Sequence, residues 1–368
     1  MNHYRINSMI LIDFSSILFQ NIFGSITLAN PIPDETGKYS VNDFIHIAKG
    51  LILSFLFDLQ RQYSLDKGDI TLCLDDSEKQ NWRRSILPSY KMTRKSSRQE
   101  SQIPFDDVFK SVDEFLRQIR NNTPWKVVSV PSAEADDVIL CLAKHFSVKE
   151  PVLIVSSDKD MIQAQRYPNV SQYSPMTKSF VTPESKGGDM TFWLTEHVML
   201  GDSADEIPKV TDYTQFSDSF YKYLKDNNYD YTEEEYSEFP PAMRNMIEFD
   251  YDVLNRYNKK DIWKNIRFGP KTVQKMLENN SIEEFLDSNP LYRKNYERNR
   301  RLILDDYIPD DIRTECIKQY TEQSKEVTSE NTRAFKDYLV SSGLSQFAET
   351  LPFNFVSGII SIEDFLPT

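Results

Sequence analysis

Short apolar runs that end in aspartate recur along the chain. Met9 to Asp13 reads Met-Ile-Leu-Ile-Asp, Ile70 to Asp75 reads Ile-Thr-Leu-Cys-Leu-Asp, and Val152 to Asp160 reads Val-Leu-Ile-Val-Ser-Ser-Asp-Lys-Asp. Runs this short suit strands covered on both faces rather than helices. Ligands of open parallel sheets gather beyond the carboxyl ends of the strands, so three adjacent parallel strands of this kind line one edge with carboxylates. If the extended geometry persists past Val155, Asp158 and Asp160 point to the same side. Val41 to Tyr63 supplies a crossover helix, and the order strand, helix, strand predicts an α/β sheet.

Phe105, Val108, Phe109, Val112, Phe115, Leu116 and Ile119 have helical spacing, which predicts a core-facing helix. Lys126 to Val130 predicts another strand, and a helix over 132–145 opens with Ser132 as N-cap. Tyr167 to Met176 and Lys178 to Thr182 predict two short strands around a turn. Thr191 to Leu200 predicts a helix that ends at Gly201. Further helices are expected over Ile282 to Asp287, Asn295 to Asp305, Ile312 to Gln323 and around Thr332 to Leu351, with a loop near Asp226 to Glu238.

The composition of the 368 residues is that of an ordinary folded protein, 39% apolar with 12% aromatic, enough for one large domain or two. The longest apolar run, Leu51 to Phe57, is far short of a membrane span. The N-terminus lacks a basic start and a small-residue cleavage site, and Cys73, Cys141 and Cys316 are widely spaced, so a cytoplasmic protein with reduced thiols and no membrane partner is expected. The net charge of −13 argues against a nucleic-acid partner until its distribution is read. Arg83, Arg84, Lys91, Arg94, Lys95 and Arg98 lie in a stretch without Asp or Glu, interleaved with Trp82 and Tyr90 nearby. Such an island is either a solvated loop or a surface for phosphates and stacked bases.

Nine carboxylates stand at or beside the predicted strand and helix ends: Asp13, Asp75, Glu134, Asp136, Asp137, Asp158, Asp160, Asp202 and Asp205. Acids in the first turn of a helix are favoured by its dipole alone, which is the structural explanation of Glu134, Asp136 and Asp137. Brought together, however, nine carboxylates need divalent cations. Oxygen-only ligands favour magnesium or manganese, and two such ions about 4 Å apart activate water and clamp a phosphodiester.

The series Leu11-Ile12-Asp13, Leu72-Cys73-Leu74-Asp75, Trp82-Arg83-Arg84, Ser89-Tyr90-Lys91, Ala133-Glu134-Ala135-Asp136-Asp137, Ser156-Ser157-Asp158-Lys159-Asp160, Gly201-Asp202-Ser203-Ala204-Asp205 and Phe268-Gly269-Pro270-Lys271 resembles the flap endonuclease and 5′→3′ exonuclease family, over most of Met9 to Ile312. Tyr167-Pro168-Asn169-Val170 and Asp306-Tyr307-Ile308-Pro309 resemble its bacteriophage members. The resemblance implies a PIN-like parallel-sheet nuclease core over residues 1–190 with a helical arch at 82–102. It further implies a helical C-terminal domain over 191–356 containing a modified helix-hairpin-helix, and a tail at 357–368. The family's hairpin follows its last aspartates closely, whereas 211–267 intervenes here, and Lys209 stands where a glycine is normally found.

By the same resemblance Asp13, Asp75, Glu134, Asp136 and Asp158 form one metal site and Asp160, Asp202 and Asp205 a second, with Asp137 nearby or bound through water. Lys91, Asp136 and Asp158 are the catalytic residues. Arg83, Arg84, Tyr90, Lys91, Arg94, Lys95, Arg98, Gly269 and Lys271 contact nucleic acid. The implied activity is magnesium-dependent removal of RNA primers and adjacent DNA from 5′ ends, with cutting of flaps, by a phage replication nuclease acting as a monomer with two Mg2+ ions, for which Mn2+ substitutes. A catalytically silent DNA-structure-binding protein would have lost some of the acids, and all nine are present. The implied partners are RNA·DNA hybrids, duplex or flap DNA and the replication single-stranded DNA-binding protein. The tail, with Ile362, Phe365 and Leu366, is either a sliding-clamp peptide or a terminal element covering the core.

Overall fold

The computed structural model describes residues 9–63, 70–76, 81–186, 188–251, 262–323 and 327–351. The tail with Ile362, Phe365 and Leu366 lies outside the described residues. The chain divides into one unit of Met1–Trp82, Met92–Thr182 and Ile308–Thr368 and another of Arg83–Lys91 and Pro183–Tyr307. Among the described residues no helix is long and apolar enough to cross a membrane.

The first unit is built on a six-stranded sheet. Its strands are β1 (Met9–Asp13), β2 (Ile70–Leu74), β3 (Lys126–Ser129), β4 (Val152–Val155), β5 (Val170–Ser174) and β6 (Ser179–Val181), in the order β3-β2-β1-β4-β5-β6. All pairings are parallel except β5 with β6. Alternate residues of the apolar runs feed opposite faces. Ile10, Ile12, Ile70, Leu72, Leu153 and Val155 enter one buried cluster, while Met9, Leu11, Cys73, Val152 and Ile154 enter another. This is why the runs are continuous rather than alternating: both faces are covered.

The first cluster is completed by α1 (Phe14–Ala29), α2 (Ile45–Tyr63) and α4 (Phe105–Asn122), which follows the short α3 (Thr93–Glu100). The second is completed by α5 (Ala135–Phe146). In the second unit, α6 (Met190–Leu200) precedes α7 (Asp218–Asp226), α8 (Glu233–Glu238) and α9 (Pro241–Phe249), then α10 (Pro270–Glu278), α11 (Ile282–Asp287) and α12 (Pro290–Ile303). The chain then returns to the first unit as α13 (Asp310–Glu322), α14 (Ser329–Ser341) and α15 (Ser345–Thr350). Helix α13 shields the sheet edge at β3. The Gln323 carboxamide just past its end accepts from Val127 N at 2.9 Å and donates to Val127 O at 2.8 Å, as a neighbouring strand would.

Four expectations change. The 132–145 helix begins at Ala135 with Glu134 as N-cap, and Ser132 instead has a φ of 65°. The expected loop near Asp226 to Glu238 contains α8, because Thr232 and Glu235 form a capping box ahead of Tyr236, which is buried. The helix expected from Asn295 starts at Pro290, whose missing N–H costs nothing at the first helical position, with Asn289 as cap. The stretch expected as one helix to Leu351 is divided into α14 and α15 by Gly343, whose φ of 73° suits glycine.

The described residues between Thr211 and Arg267 build a module of their own. Phe216, Phe220, Tyr223, Leu224, Tyr236, Ile247, Tyr251 and Ile262 form a separate buried cluster. Its ends run side by side, with Ser217 N donating to Ile262 O and Lys264 N to Gln215 O, each at 2.8 Å. Its flanks, Val210 and Phe268, pack in one cluster, and Lys209 Nζ donates to Phe268 O at 3.0 Å. Lys209 thus ties together the two segments that flank the module.

Candidate metal centre

The carboxyl ends of β1, β2 and β4, together with the turn after β3, gather acids in the first unit. Asp13 is both the last residue of β1 and the N-cap of α1. Its Oδ1 accepts from Ser16 N at 3.0 Å and its Oδ2 from Ser156 Oγ at 2.9 Å. Since β1 and β4 are adjacent, this second bond closes the sheet at the place where strand order reverses, where open α/β sheets bind ligands. Asp75, one residue past β2, accepts from Ala135 N at 2.9 Å and Ser15 Oγ at 2.8 Å. These bonds join the starts of α1 and α5 to one carboxylate.

Asp13 is buried, Glu134 and Asp136 are half-buried, and Asp75 and Asp158 are exposed. The carboxyl ends of these strands therefore expose Asp75 and Asp158 to solvent while Asp13 stays buried. Its field reaches the interior: the Cys73 thiol is pushed up by burial first and then by Asp13 and Asp136.

Asp137 differs from its neighbours. It is fully buried, and its Oδ2 accepts from Glu134 N at 3.0 Å and from Trp82 Nε1 at 3.1 Å. Three acids in four positions thus divide into a cap at Glu134, a half-buried carboxylate at Asp136 and an internal hydrogen-bonding group at Asp137.

The strand reading past Val155 is corrected. Extended structure stops there, Asp158 caps a 3-10 helix over Lys159–Arg166, and its Oδ1 accepts from Asp160 N at 2.8 Å. Strand alternation therefore does not set the directions of Asp158 and Asp160. The turn is held by Gln172 of β5, 1% exposed, whose Nε2 donates to Ser156 O at 3.0 Å and Asp158 O at 2.7 Å. Ser156 and Gln172 escaped the sequence reading. Ser156 stood inside a quoted motif, but Gln172 gave no local signal.

The second unit carries an acidic loop. Helix α6 stops at Gly201, and Asp202 pairs with Ile207 in both directions, N to O at 2.9 Å and O to N at 2.8 Å. Gly201 has a φ of 64°, and a Cβ there would lie 2.3 Å from Ile207 O, so the turn needs glycine for both torsion and room. Asp202 Oδ1 accepts from Ala204 N at 2.8 Å. Asp205 Oδ2 accepts from Tyr90 Oη at 3.1 Å and lies 3.3 Å from Lys91 Nζ. His197 of α6, another residue the sequence reading passed over, brings a ring nitrogen within 4.8 Å of an Asp202 oxygen.

The basic residues separate by burial. Arg83 is 5% exposed with its Nε on Leu302 O at 2.7 Å, and Tyr90 is 2% exposed. Both were read as nucleic-acid contacts, but packing hides them: Tyr90 sits among Val198, Ile207, Leu302 and Ile303 and cannot stack on a base. Arg84, Arg94 and Arg98 are exposed, Lys91 is half-buried, and Lys95 lies on α3. The Arg98 guanidinium stands 5.3 Å from the Phe19 ring centre. Gly269 is the N-cap of α10 with Pro270 in its first turn, and Lys271 is exposed.

The donor set fits hard divalent cations. Asp75 and Asp158 follow β2 and β4, Glu134 and Asp136 open α5, and Asp13 is buried at the end of β1; oxygen donors are the preferred ligands of such ions.

Residues 8–187 match the family described as 5′-3′ exonuclease, N-terminal resolvase-like domain. The chain is 34% identical over 202 residues to the ribonuclease H of Enterobacteria phage T4, a match spanning 54% of this chain and 62% of that protein. It is 31% identical over 166 residues to a 5′-3′ exonuclease of Buchnera aphidicola subsp. Schizaphis graminum, spanning 44% of this chain and 54% of that one. The matches thus span less than two thirds of the length of either relative. A solved structure of the bacteriophage T5 flap endonuclease, in a pseudo-enzyme-product complex with DNA and metal ions, is 15% identical over 91% of this chain and 99% of that chain, with a TM-score of 0.45.

Proposed function

We propose, from the match of residues 8–187 to the 5′-3′ exonuclease N-terminal domain family, that this chain is a divalent-metal-dependent phosphodiesterase acting on 5′ ends. It removes RNA primers and adjoining DNA and cuts flaps during phage replication. The observation that carries the reading is the carboxyl end of the parallel sheet, where Asp13 closes β1, Asp75 and Asp158 follow β2 and β4, and Glu134 and Asp136 stand at the start of α5, which is bonded to Asp75. The named activities of the relatives, ribonuclease H and 5′-3′ exonuclease, supply the substrate classes.

Two magnesium ions, with manganese as substitute, are the proposed cofactors; when bound they neutralise phosphate charge and acidify water. The chain's own residues do the placing. Ser15, Ser156 and the Ala135 N–H fix carboxylate orientations at Asp75 and Asp13 before any ligand arrives. Asp136, half-buried, and Asp158, exposed, are proposed as the carboxylates nearest the reacting region. In the second unit, Asp202 and Asp205 are proposed as further ligands, and Lys91 as the cation that meets the scissile phosphate. Exposed Arg84, Arg94 and Arg98 collect the strand, and the start of α10 at Gly269 with Lys271 receives a duplex phosphate. The same reading extends to the replication single-stranded DNA-binding protein as a partner of the C-terminal helices and to a monomer in solution.

Incubating the protein with a 5′-labelled RNA·DNA hybrid and with a 5′-flap DNA tests the proposal. Short labelled products are expected from both substrates with Mg2+, and none with EDTA. Intact label in Mg2+ on both substrates would overturn it.

A further inference from the structure

The acidic loop of the second unit is held in place by side chains remote in sequence from it. Asn295 and Asn299 stand four apart on α12, on one face of the helix, and are 8% and 0% exposed. Asn299 Nδ2 donates to Val198 O at 3.0 Å and to Pro208 O at 2.8 Å. Asn295 Nδ2 donates to Val210 O and Asp212 O, both at 3.1 Å. Both amide oxygens are taken by the residue between them: Arg298 donates to Asn295 Oδ1 at 2.8 Å and, through two nitrogens, to Asn299 Oδ1 at 3.0 and 3.2 Å. Each carboxamide thus has its orientation fixed and both of its N–H groups committed.

The carbonyls chosen matter. Val198 lies in the last turn of α6, where a helix leaves its carbonyls without internal partners, and Pro208 lies just beyond the Asp202–Ile207 pair. Asn299 therefore clamps the two ends of the loop that presents Asp202 and Asp205. The neck has no slack, since a Cβ on Gly201 would meet Ile207 O at 2.3 Å and Pro208 O at 2.6 Å. Any shift of Pro208 passes through the paired Ile207 to Asp202. Apolar residues of like size would fill the same space without two buried carboxamides and a half-buried guanidinium to satisfy, so packing alone does not explain this choice. The Arg298 guanidinium bears the cost, its pKa pushed down to about 10 by burial, which outweighs the upward pull of Asp212.

We propose that Asn295, Arg298 and Asn299 are positioning residues that set the Asp202–Asp205 loop in its metal-binding shape, a role that rests on the metal-dependent reading of the site. They touch no substrate. Their contribution is to spare the loop the entropy of ordering when the cation binds.

The test measures Mn2+ binding to the full-length protein without substrate by calorimetry, alongside the Mn2+ dependence of flap cleavage. It compares wild type with Asn299→Leu, Arg298→Met and Asp202→Asn. Asn299→Leu is expected to weaken, by about ten-fold, the binding step that Asp202→Asn removes. The Mn2+ concentration for half-maximal cleavage should rise by the same factor, while KM for the flap substrate stays within about two-fold of wild type. Arg298→Met, which keeps both amides but frees their orientation, should shift both readings in the same direction by about three-fold, and keeps the test open if Asn299→Leu does not fold. Wild-type Mn2+ binding in variants whose melting temperature alone has dropped would overturn the proposal by itself. Wild-type binding in Asp202→Asn would overturn the metal assignment of the loop, and the positioning role with it.

Discussion

Acids that look alike in the sequence have different employment in the fold. Asp136 and Asp137 are adjacent, yet Asp136 is half-buried and Asp137 is fully buried, accepting from Glu134 N and Trp82 Nε1. Asp137→Asn is expected to lower stability by about 1–3 kcal/mol, measured by urea denaturation, because an amide cannot accept as the carboxylate does. Asp136→Asn should leave the urea midpoint unchanged and reduce cleavage by at least about a hundred-fold. The reverse pattern would exchange the two roles. The acids themselves were legible because each closes an apolar run, opens a helix or follows the glycine that ends one. The groups that orient them were not. Ser156 reaches Asp13, Gln172 reaches the carbonyls of Ser156 and Asp158, and Asn299 reaches Val198 and Pro208 across long stretches of chain. A neutral amide on a strand or helix has no local pattern that says which carbonyl it will meet.

Elements were legible where a hydrophobic period ran unbroken, as in β1, β2, β4 and α4, and less so at their ends, where capping decides. The sequence predicts Ser132 as the cap, and the bond from Glu134 N to Asp137 moves it to Glu134 through a pairing three residues away. Helix α8 was hidden because its three glutamates dominate its composition, whereas its one buried side chain, Tyr236, has its partners elsewhere in the aromatic module. Helix α2 carries a polar exception on its core face. Lys49 is 7% exposed, bonded to Ser111 Oγ at 2.9 Å and Tyr338 Oη at 3.4 Å, and burial pushes its pKa down to about 8. The folded state thus holds the proton less tightly than the unfolded chain, whose lysine titrates near 10.5. Below about pH 8 both states are protonated and the full cost of burying the charge is present; it is relieved as pH rises from about 8 toward 10.5. Lys49→Met should therefore be more stable than wild type at pH 7, by on the order of 2 kcal/mol, with the difference shrinking at pH 9 to 10. A pH-independent difference in urea midpoint would contradict this account.

At the scale of the molecule, one unit is a doubly covered parallel sheet closed by the chain's own C-terminal helices, and the other is helical and contains a module with its own core. Because that module enters and leaves through adjoining segments at Gln215–Ser217 and Ile262–Lys264, replacing 217–262 by Asn-Gly should leave a folded protein. Its circular dichroism melt should remain a single cooperative transition, and cleavage of a nicked or flap substrate should stay within about ten-fold of wild type. Aggregation of this variant would show that the module supports the segments that flank it. On the proposed function, the carboxylates Asp13, Asp75, Glu134, Asp136 and Asp158 of the first unit are where a phosphodiester would be cleaved. Single-turnover cleavage of a 5′-labelled RNA·DNA hybrid by Asp158→Asn, beside equilibrium binding of the same hybrid in EDTA, tests it most directly. The expected result is a rate at least about a hundred-fold below wild type with binding within about two-fold, and wild-type cleavage by Asp158→Asn would contradict the assignment.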